Sequence, residues 1–262
     1  MKLLKLFIIS FLLVLIFSCT LSSCLNFKHK KSNLTLVIGT SPDYPPYESI
    51  DKNGNIVGFD IDLAIAIANQ IGREVIIKQM AFDSLILALE HEKIDIIISG
   101  ISSIPSRRKK IDLISYQSKK IKKFTLLFWE KLPLNIENYD DLKNIKKSIF
   151  CVQSGTIMSE FLRNIPEITV KTLESTADLL LDIIFKKSLA ALVETNVALT
   201  LKKQKPQLRL LTLSLPKKNW IVGYGIGIKK NNKQLKKEIE KALLKIKSQG
   251  LLEKIEEKWF KT

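Results

Sequence analysis

"FDIDLAIAIANQIGREVIIKQMAFDSLILALEHEKIDIIISG" (59–100) decides the fold class. Its first segment, 59–72, sets Ile61, Ala64, Ile65, Ala68 and Ile71 on one helical face and ends in Gly72, a residue suited to the left-handed backbone beyond a helix end. "EVIIKQM" (74–80) then reads as a strand, "DSLILALEHEK" (83–93) as a helix and "IDIIISG" (94–100) as another strand. Strand and helix alternating at this length predict an α/β fold, a mostly parallel sheet with helices on its faces.

The same alternation extends outward. "LTLVIGT" (34–40) precedes the segment as a short β-branched strand of the buried kind. A second series follows it, with strands over 121–130, 148–154, 188–194 and 220–230 and helices beginning at 155 and spanning 174–187. Two amphipathic helices close the chain at Thr262. No internal repeat of 20–50 residues interrupts this order.

The N-terminus carries a different signal. "MKLLKLFIISFLLVLIFS" (1–18) has two early lysines and an apolar core from Leu6 to Phe17, too short to span a bilayer. It predicts a secretory signal peptide over 1–23. "LSSC" (21–24) resembles a bacterial lipobox, which makes Cys24 the expected lipid attachment site. Cys19 in "IFSC" is the second candidate, disfavoured because Phe17 is bulky where a small residue is wanted. "NFKHKKSN" (26–33) is polar, so 24–33 reads as a tether, and the mature protein is expected outside the cytoplasm, periplasmic or on the cell surface, anchored to a membrane by lipid. Cys151 is then the cysteine that remains, so no disulfide framework is expected.

The 262 residues are 46% apolar, ample for one large or two small cores. A formal net charge of +16 invites a nucleic-acid reading. The lysines are scattered at solvent-facing spacing, as in 229–247, with no aromatic-interleaved basic stripe or zinc spacing, so no nucleic-acid partner is expected. His29 and His91 are the two histidines, one in the tether and one on a Lys/Glu-rich helix. With no nucleophile–His–carboxylate set, no catalytic residue, metal or cofactor is expected.

Four stretches carry a family resemblance: "GTSPDYPPYESIDKNGNIVGFDIDLAIAIANQIG", "MAFDSLILALEHEKIDIIISGISSIPSRRKKIDLISY", "VQSGT" and the C-terminal "LKKEIEKALLKIKSQGLLEKIEEKWF". They resemble the polar amino-acid-binding proteins of ABC importers, bacterial solute-binding protein family 3, over about 34–260. "NWIVGYGIGI" and "ALVETNVAL" look most like an arginine-binding lipoprotein branch. The resemblance implies a periplasmic-binding-protein-like (type II) fold of two α/β lobes, 34–118 plus 219–262 and 119–218, joined by two hinge crossings. It also implies a free amino acid in the cleft between them and an ABC permease as partner. Arginine is the favoured ligand, with glutamine or another polar amino acid behind it. A cyclohexadienyl dehydratase-like enzyme and a sensory receptor are alternatives on the same fold.

The resemblance places Arg107 on the ligand carboxylate, since a planar guanidinium offers paired donors of matching geometry, with Ser102 assisting. Arg108, Lys109 and Lys110 match no site position. Glu194 read alone is a helix-start residue. The resemblance makes it the acceptor for the ligand ammonium, one methylene longer than the family's usual aspartate, with Ser99 and the Gly100 carbonyl beside it. Tyr44 and Phe82 would sandwich the side chain, and Gln153 and Thr156 would meet the ligand where "VQSGT" turns into a helix. Relatives that bind cationic side chains often carry an acid near Ser41. Here that acid is missing, and the alternation leaves open whether the neighbouring Asp43 points inward.

Overall fold

A computed structural model describes residues 34–260 apart from 118, 134–135 and 146–147. The expected signal peptide, tether and Cys24 or Cys19 lipid site lie outside the described residues. Among the described residues, no helix is long and apolar enough to cross a membrane.

The strands are β1 (Thr35–Thr40), β2 (Asp43–Tyr44), β3 (Glu48–Ile50), β4 (Ile56–Val57), β5 (Glu74–Gln79), β6 (Ile96–Ile97), β7 (Ser102–Ser103) and β8 (Ile111–Ser115). After them come β9 (Lys123–Trp129), β10 (Ile149–Gln153), β11 (Thr169–Leu173), β12 (Ala190–Glu194), β13 (Leu208–Ser214) and β14 (Val222–Lys229). The helices are α1 (Phe59–Gln70), α2 (Leu85–Glu90), α3 (Pro105–Lys110), α4 (Ile157–Arg163), α5 (Thr176–Ile184), α6 (Thr195–Gln204), α7 (Lys233–Ser248) and α8 (Leu251–Phe260).

Two large sheets result. The first runs β5-β1-β6-β14-β7 with β8 also on β14, and the second β11-β10-β12-β9-β13. A small sheet, β2-β3-β4, adjoins the site. The expectation of a mostly parallel sheet needs correction: β1·β6, β10·β11 and β10·β12 are parallel, but β14 and β9 run against their neighbours. The reason is the chain path. β8 leaves the first sheet and β14 returns to it, while β9 enters the second and β13 leaves it. An outgoing and a returning strand side by side must be antiparallel. The two crossings touch at an isolated bridge, where Ile121 and Ile221 exchange backbone hydrogen bonds at 2.9 and 3.2 Å.

Helix α1 is buried over a wide arc because it lies between the sheet and helices α7 and α8. Its arc centres on Ile67 and Asp60, so Ile65, expected inside, is 40% exposed at the arc's edge. Asp60 is a charged-type residue at the centre of that arc, which requires partners. It has them: Oδ2 accepts from the Gly100 amide at 2.7 Å and Oδ1 from the Tyr116 hydroxyl at 2.6 Å.

Gly58, just before α1, has φ +147°, and a Cβ there would stand 2.0 Å from the Tyr47 carbonyl oxygen. Only glycine permits this close backbone approach. Gly58→Ala is expected to cost at least about 3 kcal/mol, read by calorimetry as a Tm lowered by about 6–12 °C.

Candidate functional site

Nine of the ten predicted ligand contacts meet in one cleft, lined from both large sheets. Ser41, Tyr44, Phe82, Ser99, Gly100, Ser102 and Arg107 come from segments around β1, the small sheet, β6 and α3. Gln153 and Thr156 come from the end of β10 and the start of α4. The cleft has about 20 Å³ of room, enough for one water-sized body. A body the size of an amino acid does not fit this room as it stands.

Pro105 starts α3 at a position where a missing N–H costs nothing. The helix turns Arg107 inward, 6% exposed, and leaves Arg108, Lys109 and Lys110 at the surface. The Arg107 guanidinium donates to the Ser102 carbonyl at 3.1 Å and the Gly155 carbonyl at 2.8 Å, and sits 5.3 Å from the Phe82 ring centre. Burial pulls its pKa down to about 10, so it stays charged at neutral pH. Its hydrogen bonds go to carbonyls, not to a carboxylate. This is a buried cation ready for an anionic partner.

The opposite charge comes from residues that the sequence reading left out or left open. Glu48 lines the cleft and is 1% exposed. Its Oε1 accepts from the Ser99 hydroxyl at 3.0 Å, whereas its buried Oε2 finds no donor among the described residues. Burial first, and then Asp60, push the Glu48 pKa well above the usual carboxylate range. Burial lifts Asp60 to about 6, against the pull of Tyr116, Gly100 and Glu48. The charge of Asp60 adds to the effect of burial on Glu48, so the pair favours holding a proton over carrying two charges. Asp43 does point into the cleft.

Glu194 is not among the residues lining the cleft, although its amide donates to the hydroxyl of the cleft residue Tyr44 at 3.3 Å. It ends β12 and caps α6, its Oε2 accepting from the Asn196 and Val197 amides at 2.7 and 3.3 Å. It borders a neighbouring groove of about 890 Å³ instead of this cleft. Burial raises its pKa to about 7. Thr156 likewise spends its hydroxyl locally, donating to the Gln153 carbonyl at 2.7 Å and capping α4.

Residues 36–262 match the family of bacterial extracellular solute-binding proteins, family 3. The chain belongs to that family. The probable ABC transporter arginine-binding protein ArtJ of Chlamydia trachomatis serovar D is 36% identical over 253 residues, 96% of this chain and 95% of the relative. An ancestral arginine-binding protein bound to arginine superposes with a TM-score of 0.78 at 30% identity, covering 87% of this chain and 99% of that one. An ancestral arginine-binding protein bound to glutamine gives 0.78 at 31%, covering 88% and 99%. As a family 3 protein the chain has the type II periplasmic-binding-protein fold, two α/β lobes.

For this family 3 chain, Asp43, Glu48, Ile157, Met158 and Tyr224 line the cleft beyond the residues expected. Glu48 had a signal in the sequence. Pro45 and Pro46 turn the chain between two short runs, making a hairpin in which Tyr44 pairs with Glu48. Cross-strand partners share a face, so an inward Tyr44 implies an inward Glu48. Tyr224, between two glycines of β14, carries no comparable cue. His91 is exposed on the turn after α2 and contributes nothing to the cleft.

Proposed function

We propose that this protein is the extracytoplasmic binding component of an ABC importer and that it captures free arginine. The observation that carries this reading is one small cleft holding a buried cation, Arg107, together with a buried carboxylate, Glu48, whose second oxygen has no donor. Such a pair suits an amino acid whose carboxylate meets Arg107 and whose cationic side chain meets Glu48. Arg107, with Ser102 beside it, takes the α-carboxylate, and each charge-assisted bond contributes about 1.5–3 kcal/mol. Tyr44 and Phe82 flank the side chain, where aromatic faces attract guanidinium by about 0.5–2 kcal/mol.

Charge balance favours arginine over glutamine. Asp43 and Glu48 outnumber Arg107 among the ionisable groups of the cleft, and Asp60 lies directly behind Glu48. A ligand of net charge +1 neutralises that excess, and a neutral one does not. We assign the ligand's side-chain guanidinium to Glu48; Glu194, expected at the α-ammonium, borders the neighbouring groove and has its Oε2 held by two amides. The relatives' naming as arginine-binding agrees, and the glutamine-bound ancestral relative makes glutamine the runner-up.

The reading includes lobes of 34–118 plus 219–262 and 119–218 that close over the ligand by hinge motion. It also includes lipid attachment at Cys24 and delivery to a permease, without catalysis. Titration calorimetry across the twenty amino acids tests it. Tightest binding is expected for arginine. Heat with glutamine and none with arginine would reverse the order, and turnover of prephenate or arogenate would replace binding by catalysis.

A further inference from the structure

Beyond the ligand's own contacts, and resting on the binding reading above, the geometry points to Asp43 as a latch: a carboxylate reaching from one wall of the cleft to the other that sets how long the cleft stays shut. Asp43 belongs to the small sheet beside the first large one, yet its partners lie across the cleft. Oδ2 accepts from the Thr176 amide at 2.6 Å, and Gln153 Nε2 donates to both oxygens at 3.0 and 3.2 Å. The Ser41 hydroxyl adds a bond at 2.9 Å from Asp43's own side.

The Thr176 bond has a physical reason. The first amides of a helix have no partner within it. At α5, Ser175 and Asp178 form a reciprocal capping box that satisfies the Ser175 and Asp178 amides. The Thr176 amide is left over, and Asp43 takes it from the other wall, placing negative charge at the positive end of a nine-residue helix. Gln153 is oriented for its part, since its amide also donates to the Glu174 carbonyl at 3.1 Å. With both oxygens used by protein donors, Asp43 differs from Glu48, which keeps one oxygen for a ligand. The donors are neutral, so the latch holds without a fixed counter-charge and can reopen.

The test is stopped-flow binding of arginine and of glutamine to the protein and its Asp43→Asn variant, with hydrogen exchange at the Thr176 amide. The expected result is dissociation faster by about tenfold for glutamine and by more for arginine, which also loses the Asp43 charge, with association of glutamine changed by less than about threefold and quicker exchange at Thr176. Should Asp43→Asn fail to fold, Gln153→Glu sets two carboxylates face to face and is expected to speed release in the same way. An unchanged dissociation rate overturns the latch. So does a loss confined to arginine, which would make Asp43 a ligand contact. If the wild-type protein binds no amino acid, the function proposed above fails on its own. Thr176 exchange and X-ray scattering of the ligand-free protein then decide the latch, expanded and fast-exchanging in Asp43→Asn if it is right and unchanged if it is wrong.

Discussion

Exchange of Arg107 for alanine is expected to weaken amino-acid binding by on the order of a hundredfold or more while leaving the fold intact. Two charge-assisted bonds to a ligand carboxylate, at about 1.5–3 kcal/mol each, account for that loss. Stability should change little, because the substitution has opposing effects. The Ser102 and Gly155 carbonyls lose a donor, and a desolvated cation that is costly to bury disappears. Arg107→Lys keeps the charge and loses the planar fork, so it should recover only part of the affinity. Calorimetric titration together with a urea unfolding curve separates the two effects. Undiminished affinity in the alanine variant would remove Arg107 from the site.

The second large effect concerns Glu48. Glu48→Gln is expected to lower arginine affinity by about a hundredfold and glutamine affinity by less than about tenfold, because the neutral side chain places no cation against it. A pH dependence goes with this. In the ligand-free protein the Glu48–Asp60 pair holds a proton, and a bound cation favours its departure. Arginine binding should therefore tighten as pH rises, by up to about tenfold per pH unit below the pair's titration, with proton release seen as buffer-dependent heat. Glutamine should show a flatter profile, and Glu48→Gln should flatten arginine's. Stability of the ligand-free protein follows the opposite trend. Asp60 is raised from the ordinary aspartate range to about 6, so its contribution is fully present below about pH 4 and is lost as pH rises through about 6. Arginine affinity that does not vary between pH 5 and 8 would contradict the proton-sharing pair.

Much of this site was legible where a residue's neighbours explain nothing else. Arg107 is the inward member of a four-residue basic run, and a proline two positions earlier fixes where the helix starts. Glu48 was harder, because its inward position depends on a two-strand hairpin too short to show periodicity. Glu194 shows a limit of another kind. The same carboxylate at a strand end can meet a ligand or cap the next helix, and here its Oε2 caps, accepting from Asn196 and Val197, a choice with no signature in the sequence. Of the strands absent from the sequence reading, β11 and β13 are the edges of the second sheet, and the others, β2, β3, β4, β7 and β8, are short, at two to five residues. Edge strands are half-covered, so "TVKTL" and "LRLLTLS" mix polar and apolar residues without the continuous apolar run of β12. The antiparallel members of both sheets follow from where the chain crosses, a long-range property with no local signature.

The bridge between Ile121 and Ile221 is made by main-chain atoms alone. Any residue other than proline supplies the same groups, while the Ile121 and Ile221 side chains add packing against the core. Because the two connecting segments are fastened at one shared point, sliding one half past the other along its strands would break both of these bonds. Rotation about that point, the motion proposed above for closure, would keep them, like covers about a spine. The swing is widest farthest from it and smallest beside it, so a modest turn at the fastening is magnified into the separation through which a solute must pass.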